Sequence, residues 1–214
     1  MQMGQAKTRV PTIENAAIGQ LERSPDGGSL AFSARDSGKP HIFLIVCESG
    51  GASSGKPRQF TSGQFSESAP AWSSDGKFLY FTSDREGRDE IWRQTVTGEP
   101  PVQVTRNGGY TAHESADGQW LHFSQWSGEK IWRIPVSRSP QRDGDVAREL
   151  VIVPPYRVRP ASWAWTSDEI FFVDRGARPR SAVIRAYRLT TGKARTILGQ
   201  ILTDRSEVEL SVLT

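Results

Sequence analysis

The decapeptide SSDGKFLYFT at residues 73–82 decides how the chain is read, because it recurs. SPDGGSLAFS at 24–33 and SADGQWLHFS at 115–124 superpose on it without a gap. TSDEIFFVD at 166–174 is a degraded fourth copy that lacks the Gly and brings its apolar pair two residues early. The aspartates Asp26, Asp75, Asp117 and Asp168 are 49, 42 and 51 residues apart. Periods of this length mark repeat architectures in which each unit buries its faces only against its neighbours.

Asp-Gly between two apolar runs is a hairpin signal, since Gly accepts positive φ and the Asp carboxylate can bond the turn backbone. Asp26-Gly27, Asp75-Gly76 and Asp117-Gly118 are therefore expected to join a first strand to a second. The second strands set Leu30/Phe32, Leu79/Phe81 and Leu121/Phe123 at i and i+2, with Phe78/Tyr80 and Trp120/His122 on the opposite face. Two bulky faces suit a sheet packed between two others. A third strand carries Ile42-Phe43, Ile91-Trp92, Ile131-Trp132 and, weakly, Ala186-Tyr187. A fourth reads PRQFT at 57–61, PVQVT at 101–105, ELVIV at 149–153 and ARTIL at 194–198. Four short strands per repeat define a blade.

The expected fold is all-β: a single β-propeller domain over 1–214, with four-stranded antiparallel blades at 17–62, 63–108, 109–159 and 160–200 and almost no helix. Residues 1–16 supply a closing strand and 201–214 part of a fifth blade. KTRVPT at 7–12 resembles the fourth strand KPRQFT at 56–61, and the tail reads as the end of a second strand, a turn and a third strand. Some twenty residues of that fifth blade are expected to be missing between Leu198 and Ile201. Because open edges need protection, the tail around Glu209 to Val212 is expected to pair with Thr8 to Val10.

Composition narrows the classes. The 214 residues are 36% hydrophobic and 24% charged, as in a soluble globular protein long enough to bury a core. One cysteine, Cys47, allows neither an internal disulfide nor a multi-thiolate metal site. The longest apolar run, Ile42 to Cys47, is far short of the roughly 18 to 20 residues of a membrane-spanning helix, and residues 1–20 lack a signal-peptide core. Residues 131–200 hold 13 basic and 6 acidic side chains, against 13 and 15 in residues 1–130. If Arg157, Arg159, Arg178 and Arg180 converge, they would draw an acidic partner; with no aromatic-interleaved basic run, nucleic acid is not expected.

Catalytic letters are few. Gly51-Ala52-Ser53-Ser54-Gly55 matches G-x-S-x-G, but the motif needs a strand before it and a helix after it, and ESGGASSGKP reads as a flexible loop. His41, His113 and His122 lack metal-ligand spacing. His122 alternates with Leu121 and Phe123 as a satisfied packing histidine, whereas His113, on a first strand lining the channel, is a candidate ligand contact. Asp84, Glu86, Asp89 and Glu90 interleave with Arg85 and Arg88 as a self-neutralised turn, and RDGD at 142–145 is an ordinary turn. No catalytic residue, metal or cofactor is expected. Trp92, Trp120 and Trp132 read as inter-blade core. Trp126, in a turn, and Trp163 and Trp165, beside Tyr156, Arg157 and Arg159, are binding candidates, because Tyr, Trp and Arg dominate hot spots.

The SxDGxxLxF(S/T)…IW pattern resembles the WD-repeat-like blades of TolB-type propellers, most closely over 73–134. VTRNGG (104–109), HESADGQWLHFS (113–124), IWRIPV (131–136) and the tail ILTDRSEVELSVLT are similar to the late blades of bacterial proteins that join such a propeller to a winged-helix regulator. Residues 1–16 are too short for a winged helix, so DNA binding is not expected to carry over, and the chain is expected to be a fragment or shortened copy of a larger propeller. The resemblance implies a non-enzymatic module for a protein or peptide partner, or for ligand sensing. The alternatives are a substrate-gating propeller of a prolyl-oligopeptidase-like peptidase and a carbohydrate- or small-ligand-binding propeller. A periplasmic or extracytoplasmic location would follow if the chain belongs to an envelope-linked protein; oligomeric state is left open.

Overall fold

The computed structural model describes residues 17–35, 38–47, 53–126, 130–136, 149–152, 156–175 and 181–202. Its described elements are all strands. Blade 1 comprises β1 (Ala17–Arg23), β2 (Ser29–Arg35), β3 (His41–Cys47) and β4 (Ser53–Gln59). Blade 2 comprises β5 (Glu67–Trp72), β6 (Phe78–Ser83), β7 (Glu90–Thr95) and β8 (Val102–Gln103). Blade 3 comprises β9 (Ala112–Glu114), β10 (Trp120–Ser124), β11 (Ile131–Pro135) and β12 (Glu149–Ile152). Blade 4 comprises β13 (Val158–Trp165), β14 (Glu169–Arg175), β15 (Ser181–Arg188) and β16 (Lys193–Leu202). Each sheet is a meander in sequence order, antiparallel throughout.

The Asp-Gly turn is the same device in three blades. Ser24, Ser73 and Ser115 each donate a hydroxyl hydrogen bond to Oδ1 of the aspartate two residues on, at 2.5, 2.8 and 2.5 Å. The same serine oxygens accept from the amides of Ser29, Phe78 and Trp120 at 2.9 Å each. The aspartates also accept from the amides of Gly28, Lys77 and Gln119. Gly27, Gly76 and Gly118 have φ of 73, 69 and 68°, where a Cβ is costly. These bonds hold Asp26 and Asp117 below the usual carboxylate range, the serine hydroxyl being the largest cause.

Blades 2 and 3 each look backward with one face and forward with the other. Leu79 and Phe81 pack back onto Ala31, Leu44 and Ile42 of blade 1. Tyr80 and Ile91 pack forward onto Leu121 and Phe123 of blade 3. Ile131 and Ile152 then pack onto Trp163, Ile170 and Phe172 of blade 4. These three seams hold the core, as the two-faced pattern in the second strands requires.

Three expectations change in detail. Ser53 begins β4 and lies opposite Cys47, because the outer edge of β3 offers backbone bonds that a free loop would forgo; Gly51 and Ala52 lie outside the described residues. β16 is continuous to Leu202, with Ile201 opposite Ala182, so Ile201 and Leu202 finish blade 4 rather than a fifth blade, and irregularities in the β15–β16 pairing absorb the misfit. β13 starts at Val158 and so crosses the expected boundary between 159 and 160. The expected pairing of residues 8–10 with 209–212 lies outside the described residues.

Candidate functional site

At the end of the blades opposite the Asp-Gly turns, Trp126 follows β10 and is 64% exposed. Its ring meets Tyr110, which leads into β9, edge to face at 4.7 Å. The two are brought together because the antiparallel β9 and β10 start and finish at the same end, with the Tyr110 amide bonded to the Ser124 carbonyl at 2.9 Å. Burial, and then the negative charge of Asp89, raises the Tyr110 phenol above its ordinary range. Gln125 anchors the turn by accepting from Trp132 Nε1 at 3.1 Å and donating to the Asn107 carbonyl.

The blade 1–2 seam carries a polar cluster at this same end. The Glu67 carboxylate is buried, with Arg85 Nη2 at 2.6 Å from Oε1 and His41 Nδ1 at 3.1 Å from Oε2. Arg85 lies over Trp92 at 4.4 Å. Beside it, Lys39 bonds Asp84 at 2.9 Å. Among the described residues, the ion pair within the 83–90 turn is Arg88 with Glu90 at 2.7 Å, whereas Arg85 and Asp84 pair with Glu67 and Lys39 outside it; the turn is thus neutralised in good part by its neighbours and not by itself as expected.

The other candidates divide. Tyr156 packs edge to face on Phe172 at 5.8 Å, beneath Arg185 at 5.2 Å. Arg157 is exposed, and its amide bonds Asp174 at 2.9 Å; Arg159 is partly buried on β13. Arg178 and Arg180 lie outside the described residues. Trp163 is 4% exposed, in the blade 3–4 seam, where it meets His113 edge to face at 4.7 Å. Trp165 lies 4.1 Å from His122. Trp163 and Trp165 thus serve inter-blade packing and do not form a rim surface with Tyr156.

His113 and His122 are direct cross-strand partners. Burial alone brings His113 from 6.5 down to about 4. His122 falls to about 3 through burial first and then the positive charge of Arg133. Both are held neutral. Among the described residues, His122 Nδ1 and Trp165 Nε1 are buried without a hydrogen-bond partner, so His122 is a packing histidine but not the fully satisfied one expected. Among the described residues no cluster of three metal-ligating side chains occurs, and no helix is long and apolar enough to cross a membrane.

The sequence alone did not reveal Tyr110 as the partner of Trp126, nor the Glu67 cluster. Each joins residues on different connections, and only the strand register brings them together.

This geometry defines a β-propeller of four-stranded antiparallel blades. The TolB β-propeller domain family matches residues 8–196, and the chain belongs to that family. It is 33% identical over 109 residues, half of this chain, to a protein of Agrobacterium fabrum named only as uncharacterized, covering 32% of it. It is 28% identical over 198 residues, 89% of this chain, to a lasso peptide isopeptidase of Asticcacaulis excentricus, covering 24% of that enzyme. The chain thus spans about a quarter to a third of the length of these curated relatives. TolB from Acinetobacter baumannii superposes with a TM-score of 0.69 at 19% identity, over 85% of this chain and 43% of that one.

Proposed function

We propose that this propeller is a non-catalytic interaction module that takes a protein or peptide partner at the loop end marked by Trp126. The observation behind this reading is an exposed indole held at 4.7 Å by Tyr110, a large aromatic already ordered before a partner arrives. Such anchors contribute contact area at small entropic cost. Arg157, exposed at the entry to β13, is a further contact in this reading. To test it, a display library of random dodecapeptides is panned on the purified chain, and selected peptides are titrated against wild type and Trp126→Ala. Affinity should fall by about tenfold or more, as for a hot-spot truncation. Failure to select peptides, or affinities indifferent to Trp126, would count against the module.

A second reading is favoured by the alignment of 89% of this chain with a lasso peptide isopeptidase. In it, the blades form the accessory propeller beside a peptidase, controlling which peptides enter. It predicts that the chain by itself leaves an isopeptide-linked lasso peptide intact, while a polypeptide that joins these blades to a hydrolase domain cleaves it. Cleavage by the isolated chain, followed by mass spectrometry, would overturn both readings. An extracytoplasmic location fits either one where the propeller belongs to an envelope-linked protein.

A further inference from the structure

The seam between blades 1 and 2 is hollow at the Asp-Gly end. On the forward faces of blades 2 and 3, matching positions carry Phe78, Tyr80 and Arg93, and then Trp120, His122 and Arg133. In both, the guanidinium covers the ring: Arg93 over Phe78 at 5.1 Å and Arg133 over Trp120 at 4.1 Å. Blade 1 has Ser29, Ala31 and Leu44 at these positions. Three bulky side chains are thus replaced by smaller ones, and a cleft of about 710 Å³ opens. Leu44, Trp72 and Val96 supply its apolar lining. The volume lies in the range of sites for small organic ligands, roughly 300 to 1,000 Å³.

Its charged lining carries both signs. In blade 3 the third-strand Arg133 is neutralised by Glu149 on the fourth strand, at 2.6 Å. At the same register in blade 1, Leu44 stands opposite Arg58, so the cation has moved to the outer strand and faces an apolar residue. Arg58 and Lys56 are both exposed, and neither makes an ion pair among the described residues. The Asp-Gly turns contribute Asp26 and Asp75. Asp26 spends Oδ1 on Ser24 and Gly28, and those bonds keep it ionised.

We propose that this cleft binds short peptides with free termini, the α-carboxylate at Lys56 and Arg58, the α-ammonium at Asp26 and Asp75, and an apolar side chain on Trp72 and Leu44. Opposite charges flanking an apolar floor match a zwitterion in a way that neither a purely anionic nor a purely apolar ligand would. The site is at the opposite end of the blades from Trp126 and does not depend on the partner proposed there.

The test is calorimetric titration of the full chain with the tripeptide Ala-Leu-Phe, its N-acetyl form and its C-terminal amide. The free tripeptide should bind saturably, and each cap should weaken it by roughly tenfold, the scale of one charge-assisted contact. Lys56→Gln with Arg58→Gln changes only exposed side chains; it should weaken the free peptide about as much as the amide cap does and should leave the thermal midpoint unmoved. Ser29→Trp, which puts the bulk of Phe78 and Trp120 back at a position lining the cleft, should abolish binding by filling it. Absence of saturable binding at millimolar peptide, indifference to either cap, or unchanged affinity in the Lys56/Arg58 double variant would overturn the proposal.

Discussion

The seam between blades 1 and 2 and the seam between blades 3 and 4 are assembled at equivalent positions and filled in opposite ways. In the first, Glu22 and Ala31 look forward at Trp72, and a cleft remains. In the second, His113 and His122 look forward at Trp163 and Trp165, ring against ring. The Asp-Gly turn network is the same in blade 1 and in blade 3, hydrogen bond for hydrogen bond. The repeat therefore specifies the blade, while the few residues that face the next blade specify the chemistry of the seam.

The largest expected difference between the two seams is in packing. Trp163→Ala should cost about 3–5 kcal/mol, the range for an aromatic removed from a tight core. Trp72→Ala borders an existing cleft and should cost clearly less, since fewer packed atoms are left without neighbours. Urea midpoints of the two variants provide the check; equal losses would break the contrast. Gly118→Val should follow at roughly 1–3 kcal/mol, the cost of forcing a β-branched residue to positive φ, and Gly27→Val should cost about the same because the turns match. An unchanged melting temperature would mean that the turn network does not govern blade stability.

The seams should also answer pH with opposite signs. Burial raises Glu22 from 4.5 to about 8, partly offset by a hydrogen bond from the Trp72 backbone. Between those values the folded chain keeps a proton that the unfolded chain releases, so stability falls as pH rises from 4.5 towards 8. The histidines have lowered values, from 6.5 to about 4 and about 3. Below pH 6.5 the unfolded chain takes up protons that the folded seam refuses, so stability falls as pH drops towards 3. Glu22→Gln should flatten the upper limb and His122→Phe the lower one in a series of denaturation curves; a single variant flattening both would show that the seams are not independent. The smallest effect is expected at Ser53→Ala, within about 0.5 kcal/mol for an edge-strand change and without any change in esterase activity. Labelling of Ser53 by a fluorophosphonate would reverse that expectation.

The blades and their order could be read from sequence because they rest on local chemistry. Ser24, Asp26 and Gly27 make their turn within six residues, and the alternation of Leu79 and Phe81 with Phe78 and Tyr80 states directly that two faces are buried. Much less of the candidate site was legible. Trp126 was visible as an aromatic in a turn, but its support by Tyr110 depends on which strand ends meet. Trp163 and Trp165 had the composition of a contact surface and were instead consumed between blades, because burial is set by the neighbouring sheet and not by the residue's own strand. The cleft beside Ser29 and Leu44 was present in the repeat alignment only as three small departures. Sequence by itself determined the four-stranded blade, its turns and its two apolar faces, since these follow from periodicity and backbone bonding over short distances. Tertiary structure alone decided which seam is filled and which is hollow, because packing depends on the sum of two facing surfaces that lie some forty to fifty residues apart in the chain.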